Sequence, residues 1–274
     1  MTTIAEYAAS KELMGNLTLR ELRGKYKRSV LGWAWSLLNP LATMLIFTLV
    51  FRFILKVVPP RGSPSGTKSF ALFLLCGLLA WNYLTNGVGG GIGALVANAN
   101  LVKKTYFPRD VLIGSFVVSC LVSLLIELGL LCAVLAIFGN NMLPFLPVTL
   151  GLVAVLTLFV TGLALFFSAL NVYFRDVQHL VSIMFQVWFY LTPIVYPLTY
   201  VPIKANLFGH LVPVRALYSL NPMVGFVECF RDLLYDLRLP SLVTLGYVSL
   251  VSGVTFLAGL FIFNKLEGRM AEEL

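Results

Sequence analysis

Charged residues are scarce in this sequence. Asp, Glu, Lys and Arg together supply 12% of the 274 residues, whereas 59% are hydrophobic and the mean hydropathy is +0.89. A chain with so little charge would not stay soluble as a globule, and its composition is typical of a polytopic membrane bundle. The net charge of +8 would suggest nucleic acid in a soluble protein. Here the cations lie at the ends of apolar runs, where anionic lipid head groups are the expected neighbours.

Motifs for metal, redox and nucleotide chemistry are also missing. The four cysteines show neither a metal spacing nor a disulfide framework and are interpreted as small packing residues: Cys76, Cys120, Cys132 and Cys229. The two histidines, His179 and His210, have no carboxylate or thiol cluster near them in sequence. The loop 62–69 fails the P-loop spacing, which needs Lys directly after the second glycine. We therefore expect neither a metal site nor a nucleotide site in this chain.

One acidic pattern needs separate consideration. Glu228, Asp232 and Asp236 recur every four residues and so share one face of a helix. Such a face could hold Mg²⁺ for diphosphate chemistry, as in membrane prenyl transferases. Because Arg231 and Arg238 are interleaved with it and no second acidic cluster follows, a solvated or salt-bridged face is the favoured interpretation. A contact surface for an exported ligand is the alternative.

Six apolar runs predict an all-α integral membrane protein with six transmembrane helices in one domain, residues 1–274. The runs are close to or above the roughly 20 residues that cross a hydrocarbon core, and they cover residues 36–58, 70–92, 111–138, 146–170, 179–197 and 242–263. Trp33 and Trp35 stand at the start of the first run, where aromatic residues anchor a helix at the interface. Since basic residues precede that run, both termini are predicted to be cytoplasmic. No signal-peptide core precedes it, so we expect the first span to stay in the mature chain.

The segment between the fifth and sixth runs contains two apolar stretches that are too short to cross, 208–220 and 223–234. We expect two short re-entrant helices that dip into the outer leaflet. The second would begin with Asn221 as N-cap and Pro222 as its first helical residue. An extracellular loop carrying two surface helices is the alternative.

Two features inside the spans predict contacts between helices. Arg52 and Glu127 each lie sixteen positions into a span, about 24 Å deep at 1.5 Å per residue, so an ion pair between them would compensate both charges. Alternatively, Arg52 extends to the interface and Glu127 meets a polar side chain or water. Gly87 and Gly91 form a GxxxG pair, which allows close approach of helix backbones.

Several separated motifs resemble, in the same order, the membrane subunit of the ABC-2 type polysaccharide exporter family. They are KYKRSVLGWAWSLLNP before the first span, NLVKKTYFPRDVL at 100–112, FRDVQHLVSIMFQVWFYLTPIVYP at 174–197, LNPMVGFVECFRDLL at 220–234 and the C-terminal FNKLEGRMAEEL. That family exports O-antigen, capsular polysaccharide and teichoic acid. The resemblance covers nearly the whole chain, but it does not identify the polymer.

The resemblance implies a non-enzymatic permease of the cell (inner) membrane. It would form a homodimer, bind two copies of a separate ABC ATPase, and pass a polymer linked to polyprenyl pyrophosphate to the outer face. ATP and Mg²⁺ would belong to the partner subunit, and this chain would carry no cofactor. A drug or small-lipid exporter of the ABC-2 type is the nearest alternative. A membrane prenyl or glycosyl transferase is a further one, disfavoured by the lack of paired acidic motifs.

The resemblance also implies a coupling helix between spans two and three that docks on the ATPase. In this sequence it maps to about 98–109, where an apolar anchor is flanked by cations and a polar residue: Asn98, Lys103, Lys104, Tyr106, Phe107, Pro108 and Arg109. A plain positive-inside loop would explain the cations but not the exposed aromatic residues.

The N-terminal segment, residues 1–35, resembles the interfacial helix of that family. Leu13, Leu17, Leu19 and Leu22 can supply a rough apolar face for a helix that lies along the membrane. Its cations could bind the pyrophosphate of the substrate, and they are Arg20, Arg23, Lys25, Lys27 and Arg28. Binding to membrane head groups alone would require the same charges, so both interpretations stay open.

Aromatic residues suggest how sugar rings could pass. Flat rings contact sugars weakly and in series, which permits sliding. The candidates for such a conduit lie in spans two and five: Trp81, Tyr83, Phe185, Trp188, Phe189, Tyr190 and Tyr196. Interfacial anchoring or helix packing is the alternative for each of them.

Overall fold

The described part of the chain consists of helices and one small two-stranded sheet. The computed structural model describes residues 4–25, 34–54, 56, 61–104, 107–137, 139–207 and 210–273. In chain order the helices and strands are α1 (Ile4–Lys25), α2 (Trp35–Phe47), α3 (Phe70–Ala97), α4 (Ala99–Lys104), α5 (Asp110–Ile137), α6 (Leu146–Tyr173), α7 (Val177–Tyr190), β1 (Ala205–Leu207), β2 (His210–Val212), α8 (Val214–Ser219), α9 (Pro222–Arg231), α10 (Leu242–Glu267) and α11 (Met270–Glu273). The π-helical segments Thr48–Ile54 and Asp232–Asp236 extend α2 and α9.

Four helical stretches in the described residues are long and apolar enough to cross a membrane. They are Phe70–Ala97, Asp110–Ile137, Leu143–Tyr173 and Leu242–Glu267, and they match predicted spans two, three, four and six. The first predicted span forms α2 and its π-helical extension, of which Leu41–Ile54 is apolar. The fifth forms α7, whose 14 residues end at Tyr190 before a turn. A helix of 14 residues is about 21 Å long, which is shorter than a hydrocarbon core. The helical class is confirmed, and the count of six spans stays a prediction.

Helix α3 lies at the centre of the bundle. In the most apolar stretch of α3, 72% of the residues are buried, whereas the corresponding value for α10 is 17%. Helix α3 is therefore enclosed by other helices, and α10 presents most of its surface to the outside. Helices α5, α6, α7 and α9 all pack against α3. Helix α1 lies against α5, and α10 packs along α6.

Glycine residues set the closest helix approaches. The predicted pair on α3 packs against α6: a Cβ atom on Gly87 would lie 2.6 Å from Val160 Cγ1, and one on Gly91 would lie 2.9 Å from Ala164 Cβ. The tighter crossing, between α6 and α10, was not predicted. A Cβ atom on Gly162 would lie 2.6 Å from the Thr255 carbonyl oxygen, so the two backbones meet without side chains between them.

The segment between α7 and α10 forms the hairpin and two helices. Strands β1 and β2 are antiparallel, with Asn206 opposite Leu211. Helix α9 begins as expected from the sequence, because the Asn221 side chain accepts a hydrogen bond from the Met223 amide and Pro222 is the first helical residue. Its apolar residues are buried against the bundle. A re-entrant course in the outer leaflet stays a prediction for α8 and α9.

The α6–α10 crossing can be tested by adding a side chain to it. Replacing Gly162 with Leu should destabilise the fold by at least about 3 kcal/mol, because backbone atoms of α10 cannot move aside as a side-chain tip can. Gly151→Leu on the same helix is the matched control, since a Cβ atom there meets nothing within 4 Å. The measurement is the Tm of the purified protein in detergent. Equal Tm values for both variants would contradict the crossing.

Candidate functional site: a polar cavity inside the bundle

A cavity of about 990 Å³ lies between α1, α2, α3, α5 and α7. This is at the upper end of the roughly 300–1,000 Å³ range of small-molecule pockets. Its wall contains both carboxylate and ammonium groups, from Glu21, Lys25 and Glu127, although the surrounding helices are apolar. A smaller cavity of about 260 Å³ lies beside it, is lined mostly by Leu side chains, and shares Asn82 and Glu127 with the larger one.

The polar wall is built from a repeated spacing. Residues four apart on a helix share one face, and four helices each direct such a polar set into the larger cavity. These sets are Asn39 and Thr43 on α2, Asn82 and Asn86 on α3, Ser119, Ser123 and Glu127 on α5, and Gln178 and Ser182 on α7. We call these four sets the polar stripes. Sequence analysis missed them, although the spacing of four within apolar runs is a signal that could have revealed them.

The polar stripes offer hydrogen-bonding groups to the cavity. Amide side chains both donate and accept, and hydroxyl groups do the same, so the wall can exchange hydrogen bonds with a hydroxyl-rich ligand. No group of three or more His, Cys, Asp or Glu suited to a metal ion occurs among the described residues.

The predicted aromatic lining is found in the cavity only in part. Tyr83 and Phe185 line the cavity, and the Tyr83 hydroxyl donates to Thr157 Oγ1 at 3.1 Å. The other five candidates are not among its lining residues. They are Trp81, Trp188, Phe189, Tyr190 and Tyr196.

Most of these aromatic rings pack on one another beside the cavity. The Trp81 ring centroid lies 5.5 Å from that of Phe189 and 6.0 Å from that of Trp188, in edge-to-face arrangements. Trp188 Nε1 also donates to Asn221 Oδ1 at 2.8 Å, which ties α7 to the start of α9. The Trp81 side chain is buried, Trp188 and Phe189 are half-buried, and Tyr190 is exposed. These contacts pack the rings on one another, and a place in the conduit stays a prediction for them.

The expected ion pair between Arg52 and Glu127 does not form. Among the described residues no ion pair within 4 Å contains either side chain. Arg52 lies exposed on the π-helical extension of α2, whereas Glu127 faces the cavity. The cation that acts electrostatically on Glu127 is Lys25, whose Nζ donates to Ser123 Oγ at 3.0 Å. The depth argument failed because depth along two spans does not fix the direction that each side chain faces.

Three of the predicted phosphate-binding cations, Arg20, Arg23 and Lys25, lie on α1. Arg20 pairs with Glu21 at 2.7 Å and also donates to Asn98 Oδ1 at 2.8 Å. Arg23 is exposed, and of the described cations in this set only Lys25 lines the cavity. Lys27 and Arg28 lie outside the described residues.

Part of the apolar face of α1 packs on the bundle, and an interfacial position in the membrane stays a prediction. Leu17 and Leu22 are buried, Leu13 is half-buried and Leu19 is exposed. Thr18 Oγ1 donates to the Met14 carbonyl on its own helix at 2.8 Å, and α1 lies along α5.

The predicted coupling segment contains the short helix α4. Asn98 caps the end of α3, with Nδ2 donating to the Ala94 carbonyl at 2.8 Å. Lys103 is exposed, Lys104 ends α4, and Tyr106 lies outside the described residues. Phe107 and Pro108 are half-buried, and Arg109 Nη1 donates to the carbonyl of Glu267 at the end of α10. The segment therefore contacts α1 through Asn98 and α10 through Arg109.

The acidic face of α9 is salt-bridged, as the favoured interpretation expected. Arg238 pairs with Asp232 at 2.6 Å and with Asp236 at 3.3 Å. Burial raises the pKa of the Asp232 and Asp236 carboxyls, and the Arg238 guanidinium opposes that rise.

Arg231 is buried, which the sequence pattern did not indicate. Its guanidinium donates to the carbonyls of Pro193 at 2.7 Å and Ile194 at 2.6 Å, in the turn after α7. It lies 3.7 Å from the centroid of the Phe73 ring and pairs with Glu228 at 3.2 Å. Burial lowers the pKa of this guanidinium, while Glu228 raises it. Arg231 thus connects α9, α3 and the turn after α7.

Comparisons with known proteins agree on one family. The family model described as "ABC-2 type transporter" matches residues 12–235. The O-antigen export system permease protein RfbA of Myxococcus xanthus is 32% identical over 274 residues, which is 99% of this chain and 98% of the relative. RfbA of Klebsiella pneumoniae is 30% identical over 96% of this chain and 95% of the relative. The polysialic acid transport protein KpsM of Escherichia coli is 25% identical, over 96% and 97% respectively.

The contacts of Arg231 allow a direct test. Replacing Arg231 with Met should destabilise the protein by about 3 kcal/mol or more, because two buried carbonyls and Glu228 would lose their partner. Arg238→Met is the control, since that side chain is 55% exposed and an exposed pair contributes at most about 1 kcal/mol. The Tm of each purified variant measures the difference. A larger loss for the Arg238 variant would contradict the assignment.

Proposed function

The chain belongs to the ABC-2 type transporter family, and from that premise we propose that it is the membrane subunit of an ATP-driven polysaccharide exporter. Its substrate would be a polymer of the O-antigen or teichoic-acid type, linked to polyprenyl pyrophosphate. The subunit would pass this polymer from the cytoplasmic to the outer face of the inner membrane. It would catalyse no covalent step itself.

The observation that carries this proposal is the polar cavity. Polar side chains are expensive inside a membrane-spanning bundle and mark pathways for polar substrates. The polar stripes supply amides and hydroxyls, which exchange hydrogen bonds with sugar hydroxyls one after another. We propose that these stripes, together with Tyr83 and Phe185, line one half of the conduit, while the aromatic cluster around Trp81 supports its wall.

Force from ATP hydrolysis would enter through the coupling segment. Two copies of a separate ABC ATPase would each dock on α4 and residues 107–109 of one permease. Arg109 contacts the end of α10, and Asn98 contacts Arg20 of α1. A displacement of the coupling segment would therefore reach both α10 and α1. Both chain termini would be cytoplasmic in this arrangement.

The second half of the conduit would come from another copy of the chain. Helix α7 is too short to cross a membrane alone and exposes apolar side chains, among them Leu180, Ile183 and Val187. A homodimer that buries this face of α7 would bring two polar cavities together. Lys25 would then receive the pyrophosphate of the substrate at the edge of the cavity.

An exporter of drugs or small lipids is the second candidate, favoured by the apolar cavity of about 260 Å³ beside the polar one. Deleting the gene separates the two. The polysaccharide exporter predicts that a lipid-linked glycan accumulates in the cytoplasmic leaflet, where it can be extracted and identified by mass spectrometry. A drug exporter predicts unchanged glycans and greater sensitivity to apolar toxins.

Blocking the cavity gives a prediction for single residues. A Cβ atom on Gly89 meets nothing within 4 Å, and Gly89 lines the cavity, so Gly89→Leu would narrow the passage without a clash. We expect glycan export by the complemented deletion strain to fall at least about tenfold, because the leucine side chain narrows the passage. The protein level should stay normal, since leucine in place of glycine favours the helix by roughly 0.8 kcal/mol.

The control for this variant is Gly129→Leu. Gly129 lies on α5, also has open space around its Cβ position, and is not among the residues that line the cavity. It should export normally. Full export by the Gly89→Leu strain would show that the glycan takes another route.

A further inference from the structure

The cavity contains two carboxylates in unequal situations. Glu21 pairs with Arg20 at 2.7 Å, so its charge is already compensated. Glu127 has no ion-pair partner within 4 Å in the described part of the chain. It lies on a membrane-spanning helix, where an uncompensated charge is costly.

Lys25 is the cation that interacts electrostatically with Glu127. Its Nζ reaches from the end of α1 to Ser123 Oγ at 3.0 Å. Ser123 and Glu127 are one turn apart on the same face of α5, and both line the cavity together with Lys25. The Lys25 ammonium acts electrostatically on the Glu127 carboxylate, and opposite charges attract each other more strongly where water is partly excluded than in bulk water.

We propose that Glu127 is a positioning residue that holds Lys25 at the cavity and competes for it with the anionic head group of a polyprenyl pyrophosphate. This inference rests on the proposed function, in which Lys25 receives that pyrophosphate. Without substrate, Ser123 and Glu127 keep the Lys25 ammonium turned into the cavity. When the pyrophosphate binds, it forms an ion pair with the Lys25 ammonium, and the Glu127 carboxylate loses the cation that compensates its charge.

The same carboxylate limits how far the head group travels. Glu127 lines both cavities, so an anion that moved past Lys25 towards the apolar cavity would meet a negative charge. Neutral sugar units meet no such repulsion. For a polymer of neutral sugars, Glu127 therefore discriminates between the two parts of the substrate, keeping the pyrophosphate at Lys25 while the uncharged sugars pass along the polar stripes.

The test measures binding of farnesyl pyrophosphate to the full chain in phosphatidylcholine nanodiscs. Glu127→Gln should tighten binding by about fivefold, because the competing charge is gone while the shape is kept. Lys25→Gln should weaken it. In the Lys25→Gln background, Glu127→Gln should tighten binding much less than it does in the unmodified chain, since competition for Lys25 is gone and only direct repulsion of the anion is removed. A merely structural role of Glu127 would instead produce the same change with and without Lys25.

Controls separate this inference from the proposed function. Glu12→Gln removes an exposed carboxylate from α1 and should leave affinity unchanged, which excludes a general charge effect. If Lys25→Gln binds as tightly as the unmodified chain, the pyrophosphate site itself is wrong. If Lys25→Gln weakens binding but Glu127→Gln fails to tighten it, only the role of Glu127 is wrong. Should Glu127→Gln not fold, Glu127→Asp is the substitute, because it withdraws the carboxylate by one methylene. Glu127→Asp should tighten binding by a smaller factor. Unchanged affinity of the Glu127→Asp variant would overturn the proposal.

Discussion

The structure depends on one constraint: polar groups carried by lipid-crossing helices must be satisfied inside the protein. Of the helices that carry polar stripes, α3 and α5 are long and apolar enough to cross a membrane, and their stripes face the same cavity as those of α2 and α7. Close glycine contacts at Gly87, Gly91 and Gly162 pack α3 against α6 and α6 against α10. An apolar exterior and a polar interior thus arise from the same helices, with the spacing of polar residues deciding which face turns inward.

The contacts of α1 link the cavity to the cytoplasmic side of the proposed arrangement. Arg20 meets the coupling segment at Asn98, and Lys25 meets the cavity at Ser123. These two contacts start from positions five residues apart on the same helix. On the opposite side of the bundle, Arg231 connects α9 with α3 and the turn after α7. The residues of α3 that line the cavity, from Asn82 to Ile92, lie along the helix between Phe73 and Asn98.

Sequence patterns predicted those features that depend on local chemistry or on long apolar runs. The start of α9 followed from Asn221 and Pro222 because capping uses neighbouring residues only. Four spans and the Gly87–Gly91 contact followed from length and residue size. Features that depend on the direction of side chains in the assembled bundle were not predicted. Arg52 is exposed, and Lys25 is the cation that acts electrostatically on Glu127. Arg231 is buried although its neighbours in sequence include charged residues.

The most direct measurement of the central claim is photocrosslinking from inside the cavity. A benzophenone amino acid at position 86, on the polar stripe of α3, should capture the glycan in cells whose partner ATPase binds but does not hydrolyse ATP. The same probe at position 150, where Leu150 of α6 is 46% exposed on the outer surface of the bundle, should capture none. Glycan attached at position 86 alone is the result that this account predicts. Glycan attached at position 150 alone, or at neither position while export continues in the wild type, would contradict it.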